Sequence, residues 1–260
     1  VPAPAAGEVL LQVLAAGMNN TDINTRLGWY SKSVTGSTDD AADIDRDHQT
    51  ASDDGGWDGA TAFPMIQGAD CCAKVVAVGA GADPELIGRR VLVRACLKPA
   101  SGDMLDCKWL GVNLNGAFTQ FLTIAEAQVV PVDSDWSDAE LATLPCAYGT
   151  AENMLHRAGV KAGETVLVTG ASGGVGSAAI QLAHRRGARA IAVASAAKHA
   201  RMADLGAAEM LDRNADLQAE LGEDTVDVVI DLVGGEGFAG LLPLLKRGGR
   251  YSTAGAIGGP

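Results

Sequence analysis

Residues 164–183 hold the densest chemical signal in this 260-residue chain. Glu164-Thr165-Val166-Leu167-Val168-Thr169 is an apolar, β-branched run that reads as a strand. Gly170-Ala171-Ser172-Gly173-Gly174-Val175-Gly176 follows, and Ser177-Ala178-Ala179-Ile180-Gln181-Leu182-Ala183 then reads as a helix. Strand, glycine turn and helix in that order place backbone N–H groups and a helix N-terminus where a pyrophosphate can rest. Gly173 lets the backbone approach phosphates, and Gly176 lets the helix pack on the strand. Ala171 stands where the first glycine of G-x-G-x-x-G would be, and Gly170 precedes it. A glycine pattern alone is weak; the flanking strand and helix, with a second strand at the right interval, make a dinucleotide site the expectation. Its binding residues are Ala171, Ser172, Gly173, Gly174, Val175 and Gly176.

The end of the second strand discriminates between dinucleotides. NAD asks for a carboxylate on the adenosine ribose, whereas NADP asks for room and positive charge around its 2′-phosphate. Ile191-Ala192-Val193-Ala194-Ser195-Ala196-Ala197-Lys198 contains no acid, and none occurs between Gly176 and Asp204. That interval holds Arg185, Arg186, Arg189, Lys198 and Arg201. Arg185 and Arg186 read as a solvated helix face, while Ser195 and Lys198 are the expected grip on the phosphate, assisted by Arg201 or His199. NADP (NADPH) is therefore the expected cofactor.

The elements around these residues fall into two patterns. Up to residue 133, short runs alternate with turn residues: Val9, Leu11 and Val13, then Lys74-Val75-Val76-Ala77-Val78, Arg90-Val91-Leu92-Val93-Arg94 and Gln128-Val129-Val130-Pro131-Val132. That spacing predicts a β-rich domain over 1–133. Residues 38–59 within it are crowded with aspartates and read as a solvated loop rather than a calcium site, because EF-hand spacing is absent. From 134 onwards, Ser137 predicts a helix N-cap with Glu140 completing a capping box. Residues 165–169, 190–194 and 226–230 are strand candidates, and 175–186, 197–205 and 238–246 are helix candidates. Such alternation gives βαβ units and a parallel sheet over 134–260. Both ends of the sequence look cut, since Pro2 and Pro4 lead at once into Gly7-Glu8-Val9-Leu10 and the chain stops at Gly258-Gly259-Pro260.

Composition narrows the function. Twenty basic and 32 acidic residues give a net charge of −12, which disfavours a nucleic-acid partner. Four Phe, four Trp and three Tyr are too few for base-stacking platforms. No apolar run is long enough to span a membrane. Five cysteines, with Cys71 and Cys72 adjacent, offer no disulfide framework, so a cytoplasmic protein is expected. His48, His156, His184 and His199 show no pairing that suggests a triad.

Residues 169–176 together with Ala179-Ile180-Gln181-Leu182-Ala183 resemble the quinone oxidoreductase branch of the medium-chain dehydrogenase/reductase superfamily. Gly17-Met18-Asn19-Asn20-Thr21-Asp22, Arg26-Leu27-Gly28-Trp29-Tyr30 and Gly116-Ala117-Phe118 resemble the GroES-like half of the same family. The resemblance covers most of the chain. It implies an α/β fold in which a GroES-like domain without its opening hairpin precedes a doubly wound Rossmann sheet without its last strand and closing helices. It also implies a homodimer of the full-length protein, although the edge strand that usually forms it is missing. Zinc enzymes of this superfamily hold their catalytic metal with Cys, His and Cys. The matching positions here are Asn19, Ala69 and Cys146, and the structural zinc lobe is reduced to Cys96 and Cys107. No metal is expected.

Without a Lewis acid, hydride transfer must rest on positioning and hydrogen bonds, which suits quinones and alkenes conjugated to a carbonyl. Asn19 and Tyr30 are the expected catalytic residues: Asn19 as a hydrogen-bonding amide, Tyr30 as a donor to a developing oxyanion. Turn stabilisation by Asn19 and packing by Tyr30 are equal alternatives, and Asp22 reads as structural. Thr150 matches the family position beside the nicotinamide. Val233, Ala254 and Gly255 lie at strand ends where such folds bind ligands. The expected activity is NADPH-dependent reduction of a quinone, an enone or an enoyl thioester. The alternatives are a non-catalytic dinucleotide-binding protein and a zinc-type alcohol dehydrogenase.

Overall fold

The computed structural model describes residues 1–30, 36–37, 63–99, 101–102, 107–255 and 257–259; the acidic stretch 38–59 lies outside them. The chain divides into two compact units, the first reaching Cys146 and the second running from Ala147.

In the first unit the alternating residues at Val9, Leu11 and Val13 become strand β1 (Glu8–Ala15). Helix α1 (Asn20–Leu27) follows, then β2 (Cys72–Val78), β3 (Arg90–Val93), β4 (Cys96–Leu97), β5 (Lys108–Trp109), β6 (Phe121–Ala125) and β7 (Val129–Pro131). An antiparallel sheet runs in the order β6-β1-β2-β3-β7, with Val9 opposite Val78 on one side and Ile124 on the other. Val9, Leu11, Val75, Val91, Leu122 and Ile124 point to its buried face. Each such side chain contributes about 1.5–3 kcal/mol of burial, which fixes the register, since a one-residue slip would turn all of them outward. β4 and β5 form a separate ribbon. Helix α2 (Asp138–Leu141) starts at Ser137, whose Oγ accepts the Glu140 N–H while the Glu140 carboxylate accepts the Ser137 N–H, as the capping-box spacing predicts.

The second unit is a parallel sheet in the order β10-β9-β8-β11-β12, as expected for a Rossmann fold. Helix α3 (Pro145–Arg157) leads into β8 (Thr165–Val168), α4 (Gly174–Arg185), β9 (Arg189–Ala194), α5 (His199–Asp204) and β10 (Glu209–Asp212). The chain then crosses back through α6 (Leu217–Leu221) to β11 (Val226–Asp231), α7 (Phe238–Leu241) and β12 (Leu245–Thr253). Side-chain parity builds the two layers. Val166, Val168, Ala190, Ala192, Val228 and Ile230 meet α3 and α4 through Ala151, Leu155, Ala179 and Ile180. Leu167, Ile191, Val193 and Val229 face the opposite way and meet Leu241 and Leu244. Strands buried on both faces read as continuous apolar runs, which is why they stand out in the sequence. The winding reverses between β8 and β11, where open α/β sheets bind their ligands.

Three expected elements come out differently. The helix expected over 238–246 stops at Leu241; Pro243 lacks the N–H to continue it, a 3₁₀ turn spans Leu242–Leu244, and Leu245 and Lys246 open β12. The helix expected over 197–205 is a 3₁₀ turn at Ala196–Lys198 followed by α5. Gln128 belongs to a 3₁₀ turn rather than to β7, and its side chain pairs with the Lys98 backbone at 2.9 Å in both directions.

Candidate functional site

In the second unit, β8 delivers the chain into the glycine turn. Gly170 has φ +58, a left-handed conformation that glycine adopts freely, and its carbonyl accepts the Gly173 N–H at 3.0 Å. A Cβ on Gly176 would stand 2.4 Å from the Gly170 carbonyl oxygen and 2.6 Å from Ala171 Cα, so α4 sits against the turn only because Gly176 has no side chain. Gly173 is different: a Cβ there would meet nothing closer than 3.4 Å, and the residue is exposed. Gly173 is also the N-cap of α4, so no side chain caps the N-terminus of this twelve-residue helix. That bare end, with Gly173 and Gly174 both open above it, suits a phosphate group.

Lys198 closes the turn from the side. Its Nζ donates to Ser172 Oγ at 3.3 Å, which brings two residues 26 positions apart to one edge of the glycine turn. Ser195, half-buried, begins the 3₁₀ turn that carries Lys198 beyond β9. His199 is turned back to the Ala194 carbonyl at 3.1 Å. Asp212, which sequence reasoning passed over, ends the neighbouring strand β10. Its carboxylate accepts the Asn214 N–H at 2.9 Å and the Ala196 N–H at 3.0 Å. Those amide bonds hold its carboxyl below the usual range. Each oxygen thereby helps to shape the turn under Lys198.

Val233 follows β11, and Ala254 and Gly255 follow β12. The three are brought together: a Cβ on Gly255 would lie 2.5 Å from the Leu232 carbonyl oxygen, and the Ala254 N–H donates to the Asp231 carbonyl at 3.2 Å. Thr150 lies on α3, half-buried.

The first unit carries Asn19 and Tyr30. Asn19 is the N-cap of α1, its N–H donating to Asp22 Oδ2 at 2.9 Å. Its side-chain amide donates to Asp70 Oδ2 at 2.8 Å, so the residue both starts the helix and presents an oriented amide. Gly28, at φ +69, ends α1 in the left-handed conformation and turns the chain back. The Tyr30 hydroxyl thereby reaches the first turn of α1 and donates to Thr21 Oγ1 at 3.0 Å. Burial is the main cause that raises the Tyr30 pKa, so the phenol stays protonated at neutral pH. Asp22, 4% exposed, is structural as expected: its Oδ1 accepts the N–H groups of Gly68 and Ala69 at 3.2 and 3.1 Å.

Of the residues matching the zinc positions, Asn19, Ala69 and Cys146, only Cys146 has a side chain of the usual zinc-binding type. Ala69 is fully buried and has no donor atom. Burial, then the charges of Asp70 and Asp22, push the Cys146 thiol up to about 12. Asp70, 2% exposed, spends its oxygens on the Asn19 amide and on the Cys146 N–H at 2.6 Å. Among the described residues no group of three or more His, Cys, Asp or Glu side chains is placed to hold a metal, and no helix is long and apolar enough to cross a membrane.

Comparison with known proteins agrees with this architecture. The alcohol dehydrogenase GroES-like domain model matches residues 5–134, and the zinc-binding dehydrogenase model matches 174–260. Acryloyl-coenzyme A reductase of Metallosphaera sedula is 28% identical over 265 residues, covering 98% of this chain and 71% of the relative. Quinone oxidoreductase of Rattus norvegicus is 27% identical, covering 99% of this chain and 67% of its own length. A crystal structure from Sinorhizobium meliloti 1021, described as an alcohol dehydrogenase, is 46% identical with a TM-score of 0.82. That match covers all of this chain and 70% of the other. The chain thus spans about seven tenths of the length of these relatives. With a GroES-like unit followed by a five-stranded parallel sheet and its glycine turn, it belongs to the medium-chain dehydrogenase/reductase superfamily of oxidoreductases.

Proposed function

We propose that this chain is a zinc-independent, NADPH-dependent oxidoreductase that reduces a carbon–carbon double bond conjugated to a carbonyl, or a quinone. The carrying observation is the Lys198 ammonium at 3.3 Å from Ser172 Oγ, beside a bare helix N-terminus and beyond a strand end without an acid. An ammonium and a hydroxyl side by side suit a phosphomonoester. The acryloyl-coenzyme A reductase and quinone oxidoreductase names of two relatives support this acceptor class.

Bound NADPH supplies a hydride, and the acceptor then needs one proton at its oxygen or α-carbon. Tyr30 keeps its proton because burial opposes ionisation, and Thr21 extends the hydroxyl pair. Asp70 orients the Asn19 amide. These neutral donors favour an acceptor whose negative charge is delocalised, since no metal is needed to stabilise it. One observation favours NADH instead: the Asp212 carboxylate, which accepts one backbone amide on each oxygen, lies under the Ser195–Lys198 turn.

Consumption of NADPH and of NADH, with a panel of quinones, enones and enoyl thioesters, tests the proposal. Saturable turnover with NADPH is expected. Binding without turnover by any acceptor favours the non-catalytic reading; preference for NADH favours Asp212; stoichiometric zinc by elemental analysis refutes zinc independence.

A further inference from the structure

Asp231 ends β11 at the point where the sheet reverses its winding, and it is 1% exposed. Its carboxylate accepts hydrogen bonds from Thr169 Oγ1 and the Tyr251 hydroxyl, both at 2.5 Å. It also accepts the N–H groups of Val233 at 3.0 Å and Gly234 at 3.2 Å. Thr169 Oγ1 in turn accepts the Leu232 N–H at 3.0 Å. One carboxylate therefore ties the ends of β8 and β12 to the loop after β11. The backbone is packed tightly around it: the Gly258 N–H donates to the Val233 carbonyl at 2.8 Å, and a Cβ on Gly235 would lie 2.3 Å from the Gly258 carbonyl oxygen. Burial works to raise the Asp231 pKa, but the bonds from Thr169, Tyr251, Val233 and Gly234 outweigh it and keep the group charged. Burying a charge is costly, and an apolar side chain would close a strand end more cheaply. What the carboxylate adds is a fixed backbone path for residues 232–234 and 254–255.

We propose that Asp231 is a positioning residue for the nicotinamide half of the dinucleotide, acting through the backbone of Val233, Ala254 and Gly255. This rests on the dinucleotide reading above. The adenosine half depends on different groups, namely the glycine turn, Ser195 and Lys198, so the two halves separate experimentally. Calorimetry on the full chain compares NADPH with adenosine 2′,5′-bisphosphate, which carries the adenosine half alone. Asp231→Ala is expected to weaken NADPH roughly tenfold or more and to change bisphosphate binding by less than about twofold. Asp231→Asn retains an acceptor oxygen for the Val233 and Gly234 amides and should recover most of the affinity. Tyr251→Phe removes one donor, keeps the ring 4.9 Å from that of Phe238, and should give a smaller loss of the same selectivity. It supplies the test should the alanine variant not fold. Equal losses for both ligands in either folded variant, or unaltered NADPH affinity in Tyr251→Phe, overturn the proposal. If the unaltered chain binds neither ligand, the dinucleotide reading itself fails and the positioning role with it.

Discussion

Lys198 is exposed and makes its side-chain bond to Ser172 at the rim of the glycine turn, so truncating it opens no cavity in the core. Lys198→Ala should therefore leave thermal stability nearly unchanged, since exposed single interactions are worth at most about 1 kcal/mol. A phosphomonoester held by that ammonium would lose a charge-assisted hydrogen bond, and NADPH should bind roughly ten- to a hundredfold more weakly. NADH, which lacks the phosphate, should be almost unaffected. Calorimetric titration of both coenzymes decides the matter: equal losses would mean that the lysine serves the pyrophosphate or the turn, not the 2′-phosphate. Lys198 was legible because an acidic chain abruptly offers no carboxylate over 177–203, and Ser172 because it lies inside the glycine turn. Asp212 and Asp70 were not. Each becomes relevant through a partner distant in sequence, Ala196 across neighbouring strands and Asn19 across the first unit, and no local pattern announces such pairing. Asp231 did leave a trace, as an acid closing an otherwise apolar parallel strand, where desolvation demands partners.

The glycine turn separates fold from function within one element. In Gly176→Ala the new methyl would stand 2.4 Å from the Gly170 carbonyl oxygen and 2.6 Å from Ala171 Cα, both backbone atoms. α4 must then shift off β8, at a cost of about 1–3 kcal/mol or more, and the melting temperature should fall clearly. In Gly173→Ala the methyl would meet only ordinary contact at 3.4 Å, at φ −75 and ψ 175, which alanine adopts without strain. Its cost is the poorer N-cap, under about 1 kcal/mol, so stability should hold. Yet the methyl projects where a pyrophosphate must approach, and NADPH affinity should drop sharply. Thermal melts and binding isotherms of the two variants check this; parallel losses of stability and affinity in both would refute the division. Continuous apolar runs made β8, β9 and β11 readable, and periodicity made α4 readable, because the strands are buried on both faces in two layers and the helix on one. Elements of few residues were harder. Residues 238–246 carry helix-forming side chains, but Pro243 divides them into a short helix, a 3₁₀ turn and the start of β12, whose pairing with β11 overrides local preference. β6 was missed because Phe121, Leu122 and Ile124 owe their strand to β1, more than a hundred residues away.

Across the molecule, net charge −12 means that carboxylates dominate the dependence of stability on pH. They act in opposite directions. Asp231, Asp227 and Glu164 are held below their ordinary values by hydrogen bonds, so the stability they contribute is present above the unfolded values and lost as pH falls through the folded ones. Asp70 has the reverse sign. Burial, reinforced by the nearby Asp22 charge, raises its pKa despite the bonds from Asn19 and Cys146. At a pH between the two values the fold holds a proton on Asp70 that the unfolded chain has released. Ionising Asp70 penalises the folded state above its raised pKa, and the penalty fades as pH falls towards the unfolded value of 3.8. Each tenfold difference in proton affinity between the two states is worth about 1.4 kcal/mol. Asp70→Asn removes the charge, keeps an acceptor for the Cys146 N–H, and lets the Asn19 amide flip to meet it. The variant's melting temperature relative to the unaltered chain should accordingly improve from acidic to neutral pH, while both proteins lose stability in acid through the other carboxylates. Melting curves across that range provide the test. A gap that does not vary with pH would mean that Asp70 ionises as readily in the folded protein as in the unfolded one.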